Sequence, residues 1–427
     1  MPKPRVLIVR PYDTHYPYAG ELPLTDSVPR SVNTGPEALR SNLDLTGNKG
    51  NMAIGEALGR IFAIDRQHSA YLNLPDLLAA GWDVDRICTS IQRHFDLVVL
   101  GMANALRPSY DFTPLADIVA QMDTPYLVLG LGMQRPLPAR KDALPPATWR
   151  FLDTINSKAV LFGVRGEETQ KWLQALGYAN TRLLGCPSLF LYPDNFLAIE
   201  PPRLAASTQV ITAGHLDLPR PRSRILCDLF RETPGWYVMQ GEIDFLLKAS
   251  RNGRSFMNDA TGRADTKLCQ RTFAARIGTV PPFTGYWMFH NMDAWRVFCT
   301  QGAYYLGDRL HGGIVALQAG VPAIVLWDDL RVREMTAFCA LPNVDITKVG
   351  AARPADLVAE LLSISRLRAF TDTFRERLVQ FDAALSQCGL ARDTAQLLAE
   401  KSSSPLPELL DKVARRLKRG IAQLTSG

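Results

Sequence analysis

Short apolar runs return along this chain between segments whose apolar residues fall at helical spacing. The runs are Val6 to Val9, Phe95 to Leu100, Tyr126 to Leu131, Ala159 to Val164, Gln209 to Ala213, Trp236 to Gln240, Tyr304 to Leu306 and Ala323 to Leu326. None shows the apolar–polar alternation of a half-solvated strand, so each reads as a strand buried on both faces, the mark of a parallel sheet. The helical segments include Pro114 to Met122, Glu167 to Leu176, Ser223 to Glu232 and Gly313 to Ala319. Strand–helix alternation of this kind predicts doubly wound α/β layers. The pattern breaks at Tyr192 to Ala206 (YPDNFLAIEPPRLAA), which has no clear periodicity and marks a crossing between two domains. The expected division is an N-terminal domain at 1–195, a linker at 196–206, a second α/β domain at 207–345 and an all-helical extension at 346–427. Two such domains form a cleft between the carboxyl ends of their strands, where open α/β sheets bind ligands.

Several partner classes fall away on composition and charge. With 47% hydrophobic and 21% charged residues in 427, the chain has the make-up of a folded globular protein rather than a disordered one. The net charge of +6 is concentrated in Asp411 to Arg419 (DKVARRLKR), and no basic stripe interleaved with aromatics crosses a domain, so no nucleic-acid partner is expected. The 7 cysteines form no CxxC pair, which supports neither a zinc site nor a disulfide framework and fits a reducing cytoplasm. No run has the length of a membrane span, and MPKPRVLIVRPYD is too short in its apolar part for a signal peptide. No metal-ligand spacing is present, so no metal is expected.

Five stretches can carry chemistry. In Gly47-Asn48-Lys49-Gly50-Asn51 a small-residue loop runs into a helix, an arrangement suited to an anion or a polar sugar group but equally to an ordinary capped loop. Gly101 to Pro108 and Leu129 to Pro136 lie at strand carboxyl ends, where Arg107, Gln134 and Arg135 face the cleft or simply follow tight turns. In Phe162-Gly163-Val164-Arg165-Gly166-Glu167-Glu168, Arg165 stands at a strand end beside a helix start, placed to clamp a carboxylate or phosphate, or else to pair with Glu167 or Glu168. Downstream, Leu184 to Phe190 returns to a strand-like run, with Cys186 read as a small buried apolar residue rather than a nucleophile. The sharpest stretch is Leu306 to Pro322 (LGDRLHGGIVALQAGVP), where Arg309 and His311 set a cation and a titratable imidazole just before a helix, with Gly312-Gly313 removing side-chain obstruction. Last, a helix starting near Asp329 aligns Arg331 with Glu334 at i, i+3; Glu334 then binds sugar hydroxyls or merely closes that ion pair.

Taken together, GNKGNMAI, GLGMQRP, GVRGEET, GCPSLFL, GDRLHGGIVALQAGVP and DDLRVRE resemble the polysaccharide pyruvyl transferase family across Asn48 to Pro342. The resemblance implies two Rossmann-like domains of the GT-B type, the first on the acceptor side and the second on the donor side. It also implies transfer of pyruvate from phosphoenolpyruvate, as substrate rather than cofactor, to a hexose of a bacterial exopolysaccharide or cell-surface glycan precursor, forming a ketal. On that likeness Arg309, His311 and Arg165 become catalytic, and Asn48, Gly50, Asn51, Gln134, Arg135, His215 and Glu334 line the substrates. Some members carry a histidine at the segment matching Gln134; here there is none, and His15, His215 and His290 are the histidines that remain to compensate. Two other readings stay open: a GT-B glycosyltransferase using a sugar nucleotide, with Glu334 on the ribose, and a non-catalytic saccharide-binding protein.

The tail adds a further expectation. Ser404 caps a helix whose Leu406, Leu410, Val413, Leu417, Ile421 and Leu424 share one side, opposite Lys412, Arg415, Arg416, Lys418 and Arg419. Such a helix either rests on an anionic membrane at its cytoplasmic face, near a lipid-linked oligosaccharide acceptor, or packs its apolar side on the protein.

Overall fold

A computed structural model of the chain describes residues 2–10, 48–74, 78, 81–140, 142–205, 208–217, 219–233, 235–242, 246, 256–258, 261–289 and 291–394. Two six-stranded sheets, parallel throughout, organise them. The first holds β1 (Val6–Arg10), β2 (Ala70–Asn73), β3 (Leu97–Gly101), β4 (Tyr126–Leu131), β5 (Leu161–Val164) and β6 (Thr181–Leu183), in the order β2-β1-β3-β4-β5-β6. The second holds β7 (Val210–Thr212), β8 (Gly235–Val238), β9 (Gly285–Trp287), β10 (Tyr304–Gly307), β11 (Ala323–Trp327) and β12 (Asn343–Asp345), in the order β12-β11-β10-β7-β8-β9. Helices alternate with these strands: α1 (Gly50–Arg60), α2 (Val84–His94), α3 (Thr113–Gln121), α4 (Pro146–Lys158) and α5 (Glu167–Ala175) in the first half. The second half carries α7 (Pro221–Leu229), α8 (Thr266–Ile277), α9 (Met292–Cys299), α10 (Leu310–Gln318) and α11 (Leu330–Phe338). The expected fold class holds in its α/β architecture: two Rossmann-like domains, each built on one parallel sheet. In each sheet the order reverses beside one strand, at β1/β3 in the first and β7/β10 in the second, and these are the points where such sheets open a crevice.

Central strands follow the expected runs closely; β4 matches Tyr126 to Leu131 end to end. The strands that the apolar pattern missed, β2, β6, β9 and β12, stand at the four sheet edges. As edge strands often are, these are short, three or four residues each, and β12 is only partly buried along its length. Two expectations need correction. Cys186 to Phe190 is not strand-like but turns through a short 3-10 helix, Pro187–Phe190, because Pro187 presets the first helical φ. The crossing near Tyr192 is likewise not irregular, since Pro193 opens a one-turn helix, α6 (Pro193–Leu197), too short to show a period.

Beyond β12 lie α12 (Pro354–Leu361) and α13 (Ile364–Gln387), and α13 returns to the first half. Phe381 stacks on Phe190 with ring centroids 4.1 Å apart, and Phe374 on Phe196 at 4.8 Å. The amide of Asp393 then donates to the Ile61 carbonyl at the end of α1. The halves also meet through charge. Glu56 of α1, 1% exposed, receives both arms of the Arg296 guanidinium from α9, at 2.7 and 2.5 Å. Arg296 reaches Gln318 at 3.0 Å, and Gln318 donates to the Ser188 carbonyl at 2.8 Å, carrying the network back into the first half. The expected amphipathic helix at 404–424 lies outside the described residues, as do His15 and His290.

Candidate functional site

The switch points of the two sheets bring their strand ends to one place. β10 ends at Gly307, Asp308 follows, Arg309 is the N-cap of α10, and His311 sits in its first turn. Arg309 and His311 were expected to precede the helix together; instead the helix begins between them, which sends the two side chains different ways. The glycine pair has another role than the one expected. A Cβ on Gly312 would come within 2.8 Å of the Tyr305 hydroxyl and one on Gly313 within 3.0 Å of Val325, so the pair lets α10 lie close against β10 and β11 rather than clearing room for a ligand.

His311 reaches across into the first half. The start of α1 presses on it so closely that a Cβ at Gly50 would stand 2.8 Å from the His311 Cβ and 2.9 Å from Gln240 Oε1. Its Nε2 lies 3.8 Å from Cys186 Sγ, which in turn contacts Ser188 Oγ at 3.0 Å. Burial holds the imidazole pKa well below its ordinary value, and the charges of Arg165, Arg331 and Arg10 push it further the same way. His311 is therefore neutral in the resting site. Arg10 ends β1 and donates to the Gly101 carbonyl at the end of β3 at 2.8 Å, at the first sheet's switch point. Arg331 is lowered by burial foremost, with Arg165 and Arg309 adding to it, although Asp329 stands 3.3 Å away. At the N-cap of α1, Lys49 is 1% exposed, and burial brings its ammonium down to about 7.

Arg165 is the clearest of these cations. It is 1% exposed, its Nη2 lies 3.9 Å from Cys186 Sγ, and its Nε has no hydrogen-bond partner. The alternative pairing with Glu167 or Glu168 does not occur: Glu167 pairs with Lys171 at 2.8 Å, and no carboxylate of the described residues lies within ion-pair distance of Arg165. An unpaired buried charge costs several kcal/mol. Such a cation asks for an anion.

Arg309 is differently occupied. Its Nε donates to the Gly214 carbonyl at 2.8 Å and its Nη2 approaches Glu242 at 3.4 Å. Glu242 is itself held by the Tyr237 hydroxyl at 2.8 Å and by the amides of Gln240 and Gly241 at 2.9 Å each. Next to Gly214, His215 directs Nδ1 at both carboxylate oxygens of Asp308, 3.1 Å from each. Arg222 stands 3.8 Å from Asp308 and pairs with Asp328 at 2.9 Å.

The remaining expected residues divide. Asn48 turns its Oδ1 back onto the Gly50 amide at 2.9 Å, so its side chain shapes the loop, while Asn51 is half-buried at the start of α1. Gln134 and Arg135 follow β4, and neither forms a hydrogen bond or ion pair with a described residue; Arg135 is exposed. Glu334 pairs with neither Arg331 nor solvent. It is 3% exposed, accepts from the Thr169 amide at 3.1 Å and from its hydroxyl at 2.9 Å, and burial raises its carboxyl to about 6. Sequence reasoning missed Arg10, Lys49 and Asp308: Lys49 and Asp308 stand inside quoted motifs without being singled out, and Arg10 follows the first expected strand.

Comparison with known proteins adds distant fold likenesses. MnaA of S. aureus with UDP aligns over 86% of this chain and 91% of that one at 12% identity and a TM-score of 0.39. Anabaena HepE in complex with UDP and glucose aligns over 94% and 100% at 11% identity and a TM-score of 0.40, and the trehalose-6-phosphate synthase OtsA over 89% and 96% at 12% and 0.45. No curated protein matches. A family model does: polysaccharide pyruvyl transferase, over residues 48–329, a stretch that opens on the loop pressed against His311 and closes at the N-cap of α11. Because that match takes in well over half of the 427 residues, with Arg165, Arg309 and His311 inside it, the chain belongs to the polysaccharide pyruvyl transferase family.

Proposed function

We propose that this protein transfers a pyruvyl group from phosphoenolpyruvate to a hexose of a bacterial exopolysaccharide or cell-surface glycan precursor, forming a ketal. Arg165 is the observation that carries the reading: a buried guanidinium that no described carboxylate meets at ion-pair distance, Glu334 acting on it only from farther off, beside a histidine in a cluster of further cations. Phosphoenolpyruvate brings a carboxylate and a phosphate, and a planar fork suits either. The site is poised by its own field. While it holds no anion, burial foremost, with Arg165, Arg331 and Arg10 adding to it, keeps His311 neutral; a bound dianion offsets the charges and favours uptake of a proton by the imidazole. His311 then delivers that proton to the methylene carbon, leaving an oxocarbenium-like centre at C2 that one sugar hydroxyl attacks. A second hydroxyl closes the ring as phosphate leaves.

The sugar-nucleotide alternative loses support from Glu334, the residue it needs on the ribose, because Thr169 already occupies that carboxylate. Incubation with phosphoenolpyruvate and a panel of nitrophenyl hexosides should release phosphate and give a product heavier by one pyruvate less one water. Donor protection separates the readings: at about a hundredfold excess over Kd a ligand adds about 2.7 kcal/mol to stability. Phosphoenolpyruvate, and not UDP, should raise the Tm; the reverse result would replace this function with glycosyl transfer.

A further inference from the structure

Ketal formation needs a group to remove hydroxyl protons as well as one to supply a proton to carbon, and His311, protonated once the donor dianion is bound, serves only the second. At the second sheet's switch point stands another histidine. His215 follows the end of β7, and its Nδ1 is held at 3.1 Å from both oxygens of Asp308, which follows the end of β10. The backbone fixes the pair, because the Asp308 amide donates to the Ala213 carbonyl at 3.0 Å and Ser223 Oγ to the His215 carbonyl at 2.5 Å. Beside the pair only glycine fits, as a Cβ at Gly214 would overlap Leu226 Cδ2 and stand 3.2 Å from Asp308 Oδ1. Asp308 is held below the usual carboxylate range, against its burial, by His215, Arg222 and Arg309. An ionised carboxylate only accepts, so Nδ1 carries the proton and the tautomer is set. That leaves Nε2 as a base, and no described residue bonds to it. Arg309 joins this pair to the donor cluster through its bond to the Gly214 carbonyl.

We propose that His215 is a second proton-transfer residue of this site, the general base toward the acceptor hydroxyl, with Asp308 as its positioning residue. The inference rests on the pyruvyl-transfer reading. As the hydroxyl oxygen bonds to C2, its proton passes to Nε2, and the imidazolium so formed lies against the Asp308 carboxylate. The imidazolium then passes this proton to the phosphate oxygen as the C2–O bond to phosphate breaks, which restores the base, and the second hydroxyl gives its proton to Nε2 as it closes the ring; that proton leaves through solvent and replaces the one His311 delivered to carbon. Two hydroxyl protons are released and two consumed, one at the methylene carbon and one on the departing phosphate, so no further reactant is needed. The charges facing His215 are Asp308 and Arg309 beside β10 and Arg222 of α7, with Asp328 beyond Arg222.

The test uses the full chain, phosphoenolpyruvate and whichever nitrophenyl hexoside the unaltered protein turns over. His215→Asn keeps a donor toward Asp308 but no base, and should lower kcat by about 10²–10⁴-fold while phosphoenolpyruvate still raises the Tm as before. Asp308→Asn should cost less in kcat and move the acid limb of the rate profile to lower pH, since the imidazolium loses its counter-charge; a merely structural pair would leave that limb in place. If His215→Asn melts early, His215→Gln is assayed below its own Tm and read the same way. Retention of kcat within a few-fold in the folded variant, or an unmoved limb in Asp308→Asn, overturns the assignment. Absence of phosphate release by the unaltered protein would instead overturn pyruvyl transfer itself, and the base with it.

Discussion

His311 and Arg309 do different work although one residue separates them. Because the folded protein holds the imidazole well below the value of an unfolded chain, acid protonates the unfolded state first. Stability is then lost as pH falls below about 6.5, at up to about 1.4 kcal/mol per pH unit, until the native imidazole also titrates. His311→Gln should flatten that slope in denaturant titrations, and phosphoenolpyruvate should bind with proton uptake, visible as a buffer-dependent heat in calorimetry. Catalysis in His311→Ala should fall by about 10²–10⁴-fold with the fold intact; a loss of only a few-fold would remove the acid role. Arg309 spends its fork on the Gly214 carbonyl and Glu242. A lysine there supplies one point charge for two directed bonds, so Arg309→Lys should weaken both kcat and thermal stability, and equal performance by Lys would show that the fork is not needed. Arg309 and His311 stand out in the sequence because they are chain neighbours beside a strand end. Asp308 was quoted in the same motif and left without a role, since its partner His215 lies 93 residues away and only the sheet order brings them together.

At the scale of elements, α5 shows how one half completes the other. Its N-cap is Gly166, which has no side chain to offer, and Glu334 of α11 takes that place by accepting from the Thr169 amide. A Cβ at Gly166 would overlap the Glu334 carboxyl group, so Gly166→Ala should displace α11 and lower the Tm by several degrees. The raised carboxyl has its own signature. Native Glu334 keeps its proton up to about 6, whereas the unfolded chain loses it near 4.5, so its contribution to stability declines as pH rises between those values. Glu334→Gln should remove that decline and keep the bond from Thr169, while Glu334→Ala should lose the cap as well; equal melting curves for the two would rule out the capping role. Strands in the middle of each sheet were readable from composition because both faces are dry. Edge strands and the single turn of α6 were not, since neither is long or uniform enough to leave a period.

Across the whole molecule, the Glu56–Arg296 pair is the buried charge contact between the halves. Removing one partner from a buried pair typically costs about 3–5 kcal/mol, so Glu56→Gln should lower the denaturant midpoint well beyond a surface substitution of the same kind; a change within error would mean that the other contacts, the α13 aromatics among them, hold the halves together.

Those aromatic contacts have a mechanical side. The polypeptide passes between the halves at α6 and again on its way into α13, and Phe196 of the first passage lies on Phe374 of the second. Two tethers lying side by side define a line, whereas a single tether defines only a point. Twisting and sliding of one half over the other are thus resisted by covalent chain, and a swing about that line would first have to part Glu56 from Arg296 and Gln318 from Ser188. The alignment of His311 with Arg165 and Cys186 is therefore held from two sides, by the paired passages of chain and by the buried polar contacts across them.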